Sequence, residues 1–138
     1  MIITIHGKPL GKQRARTLKS GRSYTPEQTV NYETLVKLCY TEQKGDNFGE
    51  QQLKMGIIAY YPIPKSTSKK KEHLMLLGEI RPTKKPDLDN VVKLIADGLN
   101  GIAYYDDSQI VELVATKYYS LIPRVDLHLR VSCLNYNK

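Results

Sequence analysis

The chain has 138 residues, 41% of them hydrophobic, and a formal net charge of +7. That is enough for one compact domain with a modest core, and it excludes a disordered tail. No apolar run approaches the roughly 20 residues that span a bilayer, and MIITIHGKPL lacks the charged start and long apolar stretch of a secretory signal. The basic excess favours a polyanionic partner such as nucleic acid.

In chain order, Ile3 and Ile5 alternate with Thr4 and His6, which predicts a short strand. GKPLGKQRARTLKSGRSYTP follows, rich in Gly, Pro, Ser and basic residues, and reads as a long loop or loose hairpin. Thr25, Pro26 and Gln28 resemble a helix start, with Thr25 as N-cap and Pro26 in the first turn. Tyr32, Leu35, Val36 and Cys39 continue it at helical spacing to about Gln43. Leu53, Met55, Ile57, Ala59 and Tyr61 occupy alternate positions, so 52–61 is a strand, ended by Pro62 and Pro64. Ser66 or Ser68 caps a short basic helix reaching Leu77, closed by Gly78.

Leu88, Val91, Val92, Ile95 and Leu99 predict a helix over 89–99 with one buried face, terminated by Asn100 and Gly101. Ile110 to Tyr119 reads as a strand. Val125, Leu127, Leu129 and Val131 alternate with polar residues in the clearest strand of the chain. The last two strands are expected to pair as an antiparallel hairpin through Ser120 to Pro123. The whole is one α+β domain over 1–138, a small mixed sheet with helices packed on one face. Cys39 and Cys133 lie in apolar patterns and read as buried, reduced thiols of a cytoplasmic protein; neither is part of a zinc-spaced cluster.

Charge is unevenly distributed. Residues 1–26 carry Lys8, Lys12, Arg14, Arg16, Lys19 and Arg22 and no acid. Lys69, Lys70, Lys71, Lys84 and Lys85 belong to a second basic stretch, and residues 87–107 then reverse the sign. In Lys84-Lys85-Pro86-Asp87-Leu88-Asp89-Asn90, Pro86 keeps Lys85 out of helical geometry. An extended 87–89 aims both carboxylates to one side while Leu88 points inward. Lys93 follows one turn after Asp89, and Asp97 a turn later. Two carboxylates with a lysine one turn on suit a hard cation and a phosphate. Asp106 and Asp107 form a second acidic point, in the turn before the next strand. The plainer readings are that Asp87 or Asp89 caps the helix, that Lys93 pairs with Asp89 or Asp97, and that Asp106 and Asp107 form an ordinary turn.

Taken together, KPDLDNVVKLIADGLNGIAYYDDSQI resembles the signature block of the RusA family of Holliday junction resolvases. It has an Asp-x-Asp-Asn start, a lysine four residues after the second aspartate, an Asp-x-Leu helix end and a double aspartate before a polar residue. GKPLGKQRARTLKSGR is similar, more loosely, to the basic N-terminal segment of many members. Some members carry an arginine before the first aspartate, where this chain has Pro86.

The resemblance implies a RusA-like fold and a hydrolase: a crossover junction endodeoxyribonuclease acting in DNA recombination and repair. It implies Asp87, Asp89 and Asp107 as catalytic metal ligands, with Asp106 a further candidate, and Lys93 as the catalytic lysine. The metal expected is Mg²⁺, with Mn²⁺ an alternative, and no small-molecule cofactor. The partners expected are a four-way DNA junction and a second copy of the chain, with no membrane. Lys8, Lys12, Arg14, Arg16, Lys69, Lys70, Lys71, Lys84 and Lys85 would grip the DNA backbone. The alternatives are a metal-dependent nuclease acting on other branched DNA and a non-catalytic basic DNA-binding protein.

Overall fold

The computed structural model describes residues 1–132. In chain order its elements are β1 (Ile2–His6), β2 (Arg16–Thr17), β3 (Ser23–Tyr24), α1 (Glu27–Glu42), β4 (Leu53–Pro62), α2 (Lys69–Leu76), α3 (Leu88–Gly98), a 3-10 turn (Asp107–Gln109), β5 (Ile110–Ser120) and β6 (Arg124–Val131). The long basic loop contains the small β2–β3 hairpin. Ser68 accepts the Lys71 N–H and caps α2, as expected. The N-cap of α1 is Pro26 rather than Thr25, and no side chain caps it.

The main sheet has the order β1-β6-β4-β5. β6 runs antiparallel to both β1 and β4, and β5 runs parallel to β4. The alternation read from the sequence decides which face is wet. Leu53, Met55, Ile57, Ala59 and Tyr61 of β4 are buried, as are Ile3 and Ile5 of β1 and Val125, Leu127 and Leu129 of β6. These side chains form one core with Val36 and Cys39 of α1 and Val91, Leu94 and Ile95 of α3. The arrangement is α+β with a mixed sheet. α1 and α3 approach closely at Gly98, where an added Cβ would lie 3.3 Å from the Val36 side chain. Even an alanine at 98 would need the Val36 side chain to give by a few tenths of an ångström.

The expected β5–β6 hairpin is corrected by the structure, because β4 lies between them. The register pairs Pro62 with Ser120 and Tyr60 with Arg124, so Leu121-Ile122-Pro123 crosses the end of β4. Two strand spacings come to about 10 Å. Three extended residues with their flanking bonds reach roughly 13 Å. Pro62 also lacks the N–H that would carry the ladder further. Cys39 is buried, in agreement with its apolar spacing; Cys133 lies outside the described residues. No described helix is long and apolar enough to cross a membrane.

Candidate active site

The acidic segment is placed by contacts from distant parts of the chain. Tyr61, buried near the end of β4, donates its hydroxyl hydrogen bond to the Pro86 carbonyl, and this fixes the backbone just before Asp87. The Lys85–Pro86 peptide is cis. The basic loop docks on the other side: the Lys12 N–H donates to the Asn90 carbonyl at 2.9 Å. Gly11 packs so closely that an added Cβ would lie 3.0 Å from both Pro86 and Asn90. The Lys12 ammonium then joins three elements, reaching Glu33 of α1 at 2.6 Å and Asp97 of α3 at 3.2 Å. Burial alone would pull its pKa down, but the bonds to Glu33 and Asp97 outweigh that and leave it raised.

Asp87 takes the N-cap position of α3 with extended backbone, yet its side chain makes no capping hydrogen bond. Its carboxylate is therefore not consumed by the helix end, contrary to the plainer reading of DLDN. Its charge is felt by Tyr61, whose pKa is pushed up to about 12, first by burial and then by Asp87. Asp89 and Lys93 are exposed one turn apart on α3. Lys93 forms no ion pair among the described residues, so the plainer reading of a pair with Asp89 or Asp97 does not hold.

The second acidic point behaves differently. Asp106 accepts the Ser108 N–H at 3.0 Å, while Gln109 Oε1 accepts the Asp106 N–H at 2.9 Å, which completes a capping box. Ser108 holds the Asp106 carboxyl below the usual carboxylate range. The Gln109 amide donates to the Gly49 and Gln51 carbonyls and pins the turn to the loop before β4. Asp106 is thus committed to the cap, and Asp107 forms no ion pair with a described residue. Tyr104, just before the pair, donates to the Ala96 carbonyl at 2.6 Å. Its pKa is driven far up by burial first, then by the charges of Asp107 and Asp97.

Two neighbouring cavities result. Asp89, Lys93 and Asp107 line one of about 620 Å³, together with Asn90. Asp87 lines the other, of about 440 Å³, with Lys8, Lys85 and again Asn90. Asn90 is the shared wall. The sequence block contained it without giving it a role; its place directly after the second aspartate was the available signal. Gln13 and Gln28, which line the Asp87 cavity, carried no signal beyond their loop and helix positions. Lys117 of β5 was also missed: its ammonium lies 4.8 Å from the Tyr61 ring centre and donates to the Lys84 carbonyl.

The remaining basic residues are dispersed. Arg14 and Arg16 are exposed on the loop and β2. Lys84 lies over the Tyr119 ring. Lys69, Lys70 and Lys71 open α2 and line neither cavity.

Among the described residues, no three His, Cys, Asp or Glu side chains stand close enough together to hold a metal ion. The structure brings Asp89 and Asp107 to one cavity and leaves Asp87 facing the next. This donor set suits a hard cation of the Mg²⁺ kind. Such ions are usually held by one or two carboxylates, with waters and substrate phosphates completing the shell.

The profile of the family described as endodeoxyribonuclease RusA matches residues 6–130. The uncharacterized protein YqaN of Bacillus subtilis (strain 168) is 36% identical over 132 residues, covering 92% of this chain and 93% of its own.

Proposed function

The chain belongs to the endodeoxyribonuclease RusA family, and from that premise we propose that it is a Mg²⁺-dependent, structure-specific nuclease that resolves four-way DNA junctions. It would do so by paired symmetric nicks, in DNA recombination and repair in the cytoplasm. The single observation that carries this reading is the meeting of Asp89 and Lys93 from α3 with Asp107 from the 3-10 turn on one cavity.

Asp89 and Asp107 would hold the cation, Mg²⁺ or Mn²⁺, with waters and substrate oxygens completing its shell, and Asp87 would join them only if the start of α3 moves when DNA binds. When bound, such a cation makes a nucleophile of a water at neutral pH and neutralises charge on the scissile phosphate. The protein's own groups do the rest. Lys93, free of ion pairs among the described residues, offsets the charge that grows on the phosphate oxygens. Lys8 and Lys85 hold a phosphate beside Asp87, and Arg14, Arg16 and Lys69–Lys71 extend the grip along the backbone.

Paired nicks call for two equivalent centres, which a C₂ dimer supplies. The surface that best fits a second copy is β5. It is one of the two edge strands of the sheet, and Val111 and Val114 are exposed on it outside both cavities. An apolar, unpaired edge of this kind is suited to pairing.

The test is cleavage of a synthetic four-way junction beside a fork and a linear duplex of the same sequence. Symmetric nicks in the junction with Mg²⁺, prevented by EDTA, are expected. Binding without cutting would leave a DNA-binding protein, and equal cutting of all three would remove the junction preference.

A further inference from the structure

The Asp87 cavity has a lining that phosphate binding does not explain. Gln13, Gln28 and Asn90 bring three carboxamides to it, beside walls from Pro9, Leu10 and Pro86. Gln13 Nε2 donates to Gln28 Oε1 at 3.2 Å. The loop that carries Gln13 is itself fixed, because the Gln13 N–H donates to Oγ1 of Thr29, which is buried. That single bond links the amide of the loop to that of the exposed Gln28. It leaves Gln13 Oε1 as an acceptor and Gln28 Nε2 as a donor, with no other side-chain hydrogen bond to either among the described residues. The Asn90 side chain likewise makes none among them, since it is its backbone carbonyl that takes the Lys12 N–H.

Phosphate oxygens accept hydrogen bonds and need only donors. An acceptor next to a donor, beside the apolar Pro9, Leu10 and Pro86 and with Lys8, Lys85 and Asp87 also on the wall, matches the edge of a nucleobase, on which donors and acceptors alternate. The cavity of about 440 Å³ has room for a base ring. At a strand-exchange point stacking is already interrupted, so turning one base out costs less than in a continuous duplex. Asn90 also lines the cavity of Asp89 and Asp107, so a base held here would be a near neighbour of the scissile phosphate.

We propose that this cavity takes an unstacked nucleobase next to the cleaved phosphate, and that Gln13 and Gln28 set the sequence preference of cutting. The inference rests on the nuclease reading above. The experiment is cleavage of a junction library randomised around the crossover, with every cut site mapped by sequencing. The readout is the ratio of the best to the worst sequence within one reaction, so it does not depend on how much of a variant is folded.

The unmodified protein should show a clear preference. Gln13→Ala with Gln28→Ala should flatten it by about tenfold, the size of losing one well-paired base contact. Gln28→Glu, which turns a donor into an acceptor, should change which sequence is best rather than flatten the ratio. Unchanged profiles in both variants would overturn the inference while leaving the nuclease reading standing. An unmodified protein that cuts no member of the library would overturn both.

Discussion

Asp87 and Asp106 hold the same formal position, the residue before a helical turn, and use it in opposite ways. Asp106 caps its own turn, and with Gln109 the 106–109 segment is satisfied from within and from the loop at Gly49 to Gln51. Asp87 makes no such bond, and the start of α3 is braced from outside: Tyr61 from below, Gly11 and Lys12 from the basic loop. In the first case the cap carboxylate is tied and its neighbour Asp107 is presented. In the second the cap residue itself stays available. A carboxylate is left for chemistry where other groups do the structural work, and neither sequence position nor residue type says which case applies.

The sharpest way to break this contrast is to neutralise each acid of the 106–107 pair in turn. Asp107→Asn should lower junction cleavage by roughly a thousandfold, the scale of losing a charge that stabilises the transition state, while junction binding persists. Asp106→Asn keeps a good cap, since Asn and Asp cap about equally well, and cleavage should stay within about threefold. Single-turnover cleavage beside a gel-shift titration separates the two effects. A dead Asp106→Asn with an active Asp107→Asn would reverse the assignment.

A smaller effect tests whether the loop that braces α3 also carries DNA. Lys12 is held in ion pairs with Glu33 and Asp97, so its neighbours Arg14 and Arg16, both exposed, are the better candidates for phosphate contact. Arg14→Ala with Arg16→Ala should weaken junction binding and reduce the slope of log affinity against log salt by about two, near one for each lost phosphate contact. A slope that does not move would put these residues off the DNA path and leave the loop with its structural role alone.

Much of this was legible in the residues. The alternation of β1, β4 and β6 and the helical spacing of α3 are direct imprints of which side chains are buried, so elements and faces followed from pattern. Pairing did not. Nothing in the alternation of residues 110–131 says that β4 lies between β5 and β6, because that depends on a contact some sixty residues away in sequence. The signature block brought out Asp87, Asp89, Lys93 and Asp107 as candidates, but it could not say that Asp87 opens onto a different cavity from Asp89 and Asp107. Nor could it show that Lys12 would be committed to Glu33, a partner on α1 that only the packed helices bring near. The pairing of Gln13 with Gln28 was hidden for the same reason: Gln13 is unremarked in its loop, Gln28 reads only as part of a helix start, and they acquire a joint role only where the loop meets α1.

The smallest expected effect bears on the external brace itself. Tyr61→Phe removes the hydroxyl that satisfies the Pro86 carbonyl and should cost about 1–2 kcal/mol of stability, read from chemical denaturation at neutral pH. The hydroxyl also titrates, which gives the brace a signature in pH. Its pKa is raised from 10.0 to about 12 in the folded protein, so folding favours the neutral phenol. Above pH 10 the unfolded chain binds fewer protons than the folded one, and stability must fall as pH rises towards 12. Tyr40, also raised to about 12 by burial and then by Asp46, contributes a fall of the same sign. The unmodified protein should therefore show stability independent of tyrosine ionisation up to about pH 10 and a decline beyond it. Tyr61→Phe should start lower and decline less steeply, since Tyr40 still titrates and Tyr61 does not. Parallel declines in the two proteins would mean that the Tyr61 hydroxyl is not held as the structure places it, and that the start of α3 depends on the basic loop alone.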